Sequence, residues 1–254
     1  MPPLPEALPP RLAAFSRLTR LTLRNKDVEA PAAGAAFWRP LAGLAALRRL
    51  DLEFAVLRAV PAAVSALAAL TCIALDAWEL EDVGPLAALP RLRRAELDPT
   101  HVRAPSALPA LRALRALRAL RLHFHSSDAE RMAGAPLLEL GPHLARLEEL
   151  EVSVVTYELD TPRSTAALLR RVVEPLRAAT ALTALALLHG YPVGPCFALP
   201  SADADALLAG KPALRRARLD AALFALGGED LPALRARHPA VALEVVGEWS
   251  EGSW

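Results

Sequence analysis

The chain has 254 residues, of which 54% are hydrophobic and 5% aromatic, and its formal net charge is +1. This length and composition allow a substantial buried core, and the charge balance provides no overall field that would attract nucleic acid or a membrane surface. Two cysteines are too few for a disulfide framework or a structural zinc site. With no segment typical of a secretory signal or a membrane span, we expect a soluble, cytoplasmic protein.

Leucines and other apolar residues recur in a fixed pattern, in which several lie three residues apart and the last two lie two apart. A spacing of two places both side chains on one face of a strand, whereas a spacing of three suits a tight turn or a 3₁₀ segment. No such unit can bury its leucines alone, so the pattern predicts stacked repeats with a parallel ladder of strands. The nine strand pairs are Leu21 and Leu23, Leu50 and Leu52, Ile73 and Leu75, Ala95 and Leu97, Leu120 and Leu122, Leu150 and Val152, Leu185 and Leu187, Ala217 and Leu219, and Leu243 and Val245.

The segment LRRLDLEFAVLRAVPAAVSALAAL, Leu47 to Leu70, has all the main positions of this pattern and resembles the leucine-rich repeat family. The resemblance extends over about Leu8 to Val246. It implies an α/β leucine-rich repeat solenoid, a curved horseshoe of about nine repeats, with the parallel β-sheet on the concave face. The chain departs from the family at the bend after each strand, where an asparagine or cysteine is usual: those positions hold Lys26, Ala55, Trp78, Thr100, His125 and Val155.

The repeats lengthen along the chain. Leu50 to Ile73 to Ala95 are steps of 23 and 22 residues, while Leu120 to Leu150 to Leu185 are steps of 30 and 35. Short steps have room for 3₁₀ or extended segments on the convex face, and long steps have room for an α-helix. We therefore predict a single domain over 1–246, with short repeats over 8–123, longer ribonuclease-inhibitor-like helical repeats over 124–246, and a polar tail over 247–254.

Three segments of the second half carry helix signals. SSDAERMAG has the capping-box spacing of Ser127 and Glu130, with Gly134 as a stop. TPRSTAALLRRVVEPLRAAT has apolar residues at helical spacing after a Thr-Pro start. SADADALLAGKP predicts a shorter helix that closes at Gly210.

The run LPALRALRALRALRLH, residues 108–123, raises the question of a basic nucleic-acid-binding helix or a coiled coil. On an ideal α-helix each step of three slips by about 60°, so its leucines would spiral around the axis. The run is better interpreted as a stretched repeat that leads into the strand pair Leu120 and Leu122. Arg112, Arg115 and Arg118 then lie toward the convex side, where a local basic ridge for an acidic partner stays open.

Residues that flank the strand leucines are expected on the concave face, in ladders about 4.8 Å apart. They either neutralise one another on a solvated sheet or form a mixed-charge surface for a protein partner, with an acidic concentration at Asp76, Glu96 and Asp98. The candidate partner-binding residues are Arg20, Arg49, Asp51, Glu53, Asp76, Arg94, Glu96, Asp98, Arg121 and His123.

No motif for catalysis, metal binding or a cofactor is present. His123 and His125 share a strand face, but no companion ligand lies at the spacing of a metal site, so a structural or solvated pair is favoured. Gly210-Lys211 is followed by Pro212, which excludes a phosphate-binding loop, and no dinucleotide, serine-hydrolase or zinc-protease motif occurs. We predict no catalytic, metal or cofactor-binding residues and no enzyme activity.

These features predict a protein–protein interaction scaffold that binds its partner through the concave face. Two alternatives are open: the substrate-recognition part of an F-box-type ubiquitin ligase, since LPEALPPRLAAF is faintly similar to the start of an F-box, and a structural component of a cytoskeletal or ciliary assembly. We expect a protein partner, and neither nucleic acid, membrane insertion nor a small-molecule cofactor. The identity of the partner is left open.

Overall fold

A computed structural model of the chain describes residues 8–32, 36–80, 82–101, 111, 113–125, 143–155, 173–189, 199–221, 223–226 and 229–246. The chain divides into two compact units, unit 1 (Met1–Leu120) and unit 2 (Arg121–Trp254). The predicted capping box at 127–134, the polar tail and most of the predicted helix that starts near residue 161 lie outside the described residues. A single domain over 1–246 stays a prediction.

Unit 1 is built on parallel strands that pair in chain order. The leucines of the strand pairs face the core, because side chains alternate between the two faces of a strand, and Leu50, Leu52 and Ile73 have no exposed surface. The register aligns Leu21, Leu50, Ile73 and Ala95 in one line across the sheet. The strands are β1 (Arg20–Glu29), β2 (Arg49–Val56), β3 (Cys72–Glu79) and β4 (Arg94–His101), and β5 (Ala119–His125) crosses the boundary to unit 2.

The triplet spacing of the leucines has a direct backbone counterpart in unit 1. The N–H of Leu67 donates to the carbonyl of Val64 at 3.0 Å, and the N–H of Leu70 donates to that of Leu67 at 2.9 Å. These are the three-residue hydrogen bonds of a 3₁₀ turn, so leucines three apart fall on one side of the chain and reach the core together. The 3₁₀ segments are Pro10–Ala14, Ala36–Gly43, Ala62–Ala66 and Gly84–Ala88.

A backbone turn joins the repeats where each strand begins. The carbonyl of Thr19 accepts the N–H groups of Arg48 and Arg49 at 2.9 and 3.0 Å, and the carbonyl of Arg48 accepts those of Thr71 and Cys72, both at 2.9 Å. The carbonyls of Thr71 and Arg93 repeat the arrangement. One carbonyl thus holds two amides of the next repeat, and at Arg48 the Thr71 hydroxyl donates to the same carbonyl at 3.0 Å.

In the first repeat of unit 1, the apolar residues are less buried than the triplet spacing predicts. Phe15 occupies a repeat position that the spacing assigns to the core, yet its side chain is 59% exposed. The residues described before it provide no further repeat to stack on it, and Leu21 and Leu23 are half-buried for the same reason. Full burial of the apolar residues at triplet spacing begins in the second repeat, with Leu41 and Leu44.

Unit 2 combines a parallel sheet with α-helices, as the longer repeats predict. Helix α1 (Ser201–Ala209) is capped by Gly210, the predicted stop. Helix α2 (Asp230–Arg237) and the short pair β8 (Leu199–Pro200) and β10 (Phe224–Ala225) were not predicted. Residues 173–176, within the second predicted helix, are helical. The remaining strands are β6 (Glu149–Val155), β7 (Ala184–His189), β8 (Leu199–Pro200), β9 (Arg216–Asp220), β10 (Phe224–Ala225) and β11 (Ala242–Val246), and the helices are α1 (Ser201–Ala209) and α2 (Asp230–Arg237).

The strands β1–β7, β9 and β11 carry the nine predicted strand pairs. Within unit 2, β6 pairs with β7, β7 with β9 and β9 with β11, all in parallel. The predicted change from 3₁₀ segments in the first half to α-helices in the second is also present. The predicted α/β leucine-rich repeat fold is confirmed.

Candidate functional site

The side of the unit 1 sheet that faces away from the buried leucines is called the open face. Its side chains form three rows across the strands, because residues one place before, between and after the strand pairs are in register. The first row is Arg20, Arg49, Cys72 and Arg94; the second is Thr22, Asp51, Ala74 and Glu96; the third is Arg24, Glu53, Asp76 and Asp98. The structure thus brings eight of the ten predicted site residues together.

Charge on the open face is ordered along the strand direction. The first row contains arginines and no acid, the second row contains two acids and no base, and the third contains three acids and Arg24. Neighbouring members of a row are about 4.8 Å apart, so like charges lie side by side across the sheet. The open face therefore presents a basic row where the strands begin and acidic rows farther along.

Ion pairs occur both between rows and within a row. Arg49 Nε lies 2.9 Å from Asp51 Oδ1 on the same strand, and Arg24 Nε lies 2.9 Å from Glu53 Oε2 on the neighbouring strand. Lys26 reaches across two strand spacings and places Nζ 2.6 Å from Asp76 Oδ2. This hydrogen bond raises the pKa of Lys26 above its ordinary value. Part of the open face is therefore self-neutralised.

Asp98 ends the third row beyond the reach of these cations. The structure assigns its half-buried side chain no hydrogen bond or ion pair with any described residue. The third row thus has three carboxylates, Glu53, Asp76 and Asp98, and cations pair with the first two. The acidic concentration expected at Asp76, Glu96 and Asp98 is present in the structure as part of the second and third rows.

Cys72 lies in the first row between two arginines. The Arg49 guanidinium donates to its Sγ at 3.5 Å, but burial dominates and raises the pKa of the thiol. A raised pKa disfavours the thiolate, which is the reactive form of cysteine. The raised pKa therefore disfavours a role for Cys72 as a nucleophile.

Arg121 and His123, the other two predicted site residues, lie on β5 and fall within unit 2. Arg121 Nη2 lies 2.8 Å from Glu151 Oε2, and farther along the same sheet Arg218 Nε lies 3.1 Å from Glu244 Oε2. His123 is half-buried, while the side chain of His125 lies outside the described residues. In both pairs an acid on one strand meets a base on the neighbouring strand.

Unit 2 contains a buried charged residue that the sequence analysis missed. Lys211 stands three residues after Leu208 and three before Leu214, where other repeats have a buried leucine, and it is only 3% exposed. Its Nζ donates to the carbonyl of Leu176 at 2.8 Å, and burial lowers its pKa to about 8. The sequence does contain a sign of this burial, because a lysine stands at a position of the triplet pattern.

The described residues contain neither a cluster of metal ligands nor a membrane-spanning helix. Among the described residues, no three His, Cys, Asp or Glu side chains lie close enough together to bind a metal ion. No helix in the same part of the chain is long and apolar enough to cross a membrane.

No protein-family model and no curated protein matches the chain. Solved structures do resemble it. Internalin InlF of Listeria monocytogenes has 15% identity and a TM-score of 0.45, with 95% of this chain and 60% of that chain covered. Human 5T4, a trophoblast glycoprotein, has 18% identity and a TM-score of 0.48 over 92% of this chain and 77% of that one. LegL7 of Legionella pneumophila, a leucine-rich repeat-containing protein, has 13% identity and a TM-score of 0.44 over 91% and 84%.

The register of nine strand pairs, with their leucines buried at a triplet spacing, decides the fold. The chain has a leucine-rich repeat fold. It spans 60% of the length of the internalin. The comparisons concern the fold alone, so any function of this chain must be argued from its own surface.

Proposed function

We propose that this protein is a non-catalytic protein–protein interaction scaffold whose partner binds to the open face of unit 1. The observation that carries the proposal is the ordered set of rows on a sheet face that the core does not use. A regular array of charges, about 4.8 Å apart across the strands, offers a partner a fixed set of positions to match.

The partner is expected to present basic groups to the acidic rows. Asp98 has no ion pair within the described residues, so it can take a lysine or arginine of the partner without breaking an existing contact. Glu53 and Asp76 would exchange Arg24 and Lys26, both largely exposed, for cations of the partner. Exposed pairs of this kind contribute little affinity each, so the rows are expected to supply orientation and association rate.

Charge reversal tests this proposal. Partners are captured from cell extract with the full chain and with the variant Asp76→Lys, Glu96→Lys and Asp98→Lys. We expect at least one specific partner to be lost with the variant. A matched control, Glu174→Lys, Asp203→Lys and Glu229→Lys, changes the net charge equally but leaves the open face of unit 1 intact, and it should keep that partner. Retention of every partner by the open-face variant would show that binding occurs elsewhere.

The two alternative functions gain no support from the geometry. Residues Pro10–Ala14, within the segment that is similar to an F-box start, form the 3₁₀ segment of the first repeat. This is the role that the repeat pattern predicts for them. A ligase subunit and a cytoskeletal or ciliary component therefore stay predictions from sequence.

A further inference from the structure

A second charged surface lies at the edge of unit 1 where the strands begin, here called the arginine edge. Every charged residue described there is an arginine, whereas every acid described in unit 1 lies at least two residues into a strand or beyond it. The residues of the arginine edge are Arg17, Arg20, Arg48, Arg49, Arg91, Arg93, Arg94, Arg115 and Arg118.

A shallow cleft of about 270 Å³ opens on this edge. Its small residues, Ala46 and Ala69, leave the space, and Arg48 and Arg91 border it together with two threonines. The hydroxyl of Thr71 donates to the carbonyl of Arg48 at 3.0 Å, which orients that side of the cleft. The cleft combines guanidinium donors, threonine hydroxyls and a floor without bulky side chains, which suits a small anionic group.

Several arginines of this edge are available to a ligand. Arg48, Arg91 and Arg93 are exposed, and the structure gives their guanidinium groups no acceptor among the described residues. Arg49, by contrast, is engaged by Asp51. The fold does not need arginine there, because the turn is held by backbone groups and Thr19 and Thr71 occupy the positions equivalent to Arg48 and Arg93.

We propose that the arginine edge binds an acidic segment of a protein partner, with a carboxylate seated in the cleft between Arg48 and Arg91. Arginine recognises carboxylate with two parallel hydrogen bonds, which makes it suited to this task. From the first repeat to the fifth the edge extends about 19 Å, the length of roughly six residues of an extended chain. The arginine edge shares Arg20, Arg49 and Arg94 with the first row of the open face, but none of the residues that line the cleft belongs to a row. The proposal therefore does not depend on the function proposed for the acidic rows.

The geometry favours a peptide over a nucleic acid. The acids of the second row, Asp51 and Glu96, lie two residues into their strands, about 7 Å from the edge. A single extended chain fits along the arginines without reaching these acids, whereas a bulkier phosphate backbone would overlie them. The net charge of +1 also provides no wider attraction for a polyanion.

A titration with a defined probe tests the proposal. A fluorescein-labelled peptide of six consecutive aspartates is added to the full chain at low salt, and its anisotropy is recorded. We expect Arg48→Glu with Arg91→Glu to weaken binding at least about fivefold, because two attractive contacts become repulsive. The matched control is Arg215→Glu with Arg216→Glu, which changes the two arginines of a Leu-Arg-Arg segment in unit 2, with Arg215 at the repeat position of Arg48. It makes the same change in charge and should alter the affinity less than about twofold.

Three outcomes would overturn the proposal. The first is equal affinity of the Arg48→Glu, Arg91→Glu variant and the wild-type chain for the aspartate peptide. The second is equal weakening by the unit 2 control, which would indicate general electrostatic attraction. The third is tighter binding of an oligothymidylate of the same charge, which would assign the edge to nucleic acid. Arg48→Gln with Arg91→Gln, verified by circular dichroism, replaces the glutamate variant if that variant fails to fold.

Discussion

The two units share one buried pattern and differ in how they arrange charge around it. In unit 1, arginines stand where the strands begin and carboxylates stand farther along, so like charges lie in rows. In unit 2, Arg121 pairs with Glu151 and Arg218 with Glu244, so opposite charges meet across strands. The leucine positions determine the fold in both, and the outward residues are free to produce either a directed field or a neutralised surface.

The cores differ as well. In the second to fifth repeats of unit 1 the repeat position represented by Leu67 is filled by a buried leucine, while in one repeat of unit 2 Lys211 fills it. A buried lysine requires a hydrogen-bond acceptor and shifts its pKa, so this position of the pattern is apolar in the repeat of Leu67 and titratable in the repeat of Lys211.

The largest loss of stability is expected when the buried leucine at this repeat position is shortened. Leu67→Ala should lower the free energy of unfolding by about 2–5 kcal/mol, since it leaves a cavity among fully buried neighbours. Chemical denaturation monitored by circular dichroism measures the change. Leu67→Met, which keeps the volume, should cost less than about 1.5 kcal/mol. A loss below about 1 kcal/mol for the alanine variant would contradict close packing of the triplet leucines.

The lowered pKa of Lys211 in unit 2 predicts a change in folding stability at alkaline pH that unit 1 lacks. Its pKa is about 8 in the folded chain and ordinarily 10.5. Between these values the unfolded chain holds the proton and the folded chain does not, so stability should rise with pH, by up to roughly 3 kcal/mol. Urea denaturation from pH 7.5 to 10.5 measures this rise, which Lys211→Met should remove. Lys26→Met, at the exposed lysine of unit 1, should leave it unchanged; a rise that persists in Lys211→Met would refute the assignment.

Asp205 provides a smaller, acid-dependent contribution in unit 2. Its Oδ1 lies 2.7 Å from His238 Nε2 and 3.0 Å from Arg237 Nε, and the contact with His238 is the main cause of its lowered pKa. A lowered carboxylate pKa stabilises the fold above the ordinary value near 4 and ceases to do so as the pH falls through the folded value. Asp205→Asn should cost about 0.5–1 kcal/mol at pH 6 and nothing near pH 2, by thermal denaturation.

Asp203→Asn is the matched control for Asp205, because it lies in the first turn of the same helix and removes a carboxylate without touching His238. It should show a smaller loss at pH 6. Equal losses for the two variants would assign the effect to the helix dipole instead of the contact between α1 and the residue after α2.

The smallest effect is expected for the paired charges of unit 2. A double-mutant cycle with Arg121→Ala and Glu151→Ala should give a coupling energy of about 0.2–1 kcal/mol that decreases with salt. The same cycle on Arg49 and Asp51 gives the reference for unit 1. A coupling above about 2 kcal/mol for Arg121 and Glu151 would mean that the charges of unit 2 are structural elements rather than a neutralised surface.

The sequence predicted the fold and the membership of the rows because both follow from spacing. Strand alternation places Asp51 and Glu96 on the face opposite Leu50 and Leu97, whatever surrounds them. It could not predict that Lys26 on β1 pairs with Asp76 on β3, since that contact depends on the length of a side chain reaching past β2. The function of the rows stays a proposal.

Features without triplet spacing were not predicted. Helix α2 and the short pair β8 and β10 follow no repeat pattern. The Trp38 indole, whose N–H donates to the carbonyls of Pro31 and Ala32 at 3.1 Å, is fixed by a loop conformation that composition does not reveal. The arginine edge was visible in the sequence as arginines just before the strand pairs, but its cleft depends on alanines from two neighbouring repeats.

The triplet spacing of the leucine-arginine run also bears on how the chain finds its register during folding. Leu111, Leu114, Leu117 and Leu120 are all buried, and a shift by one triplet would replace leucine with leucine at most of these places. The step of two to Leu122 makes the shifted alignments less stable than the native one. A shift by one triplet in one direction puts Ala119 in the place of Leu122, at a cost of about 2–5 kcal/mol. A shift in the other direction buries His123 and His125. A single leucine thus separates the native alignment of this repeat from its nearest competitor.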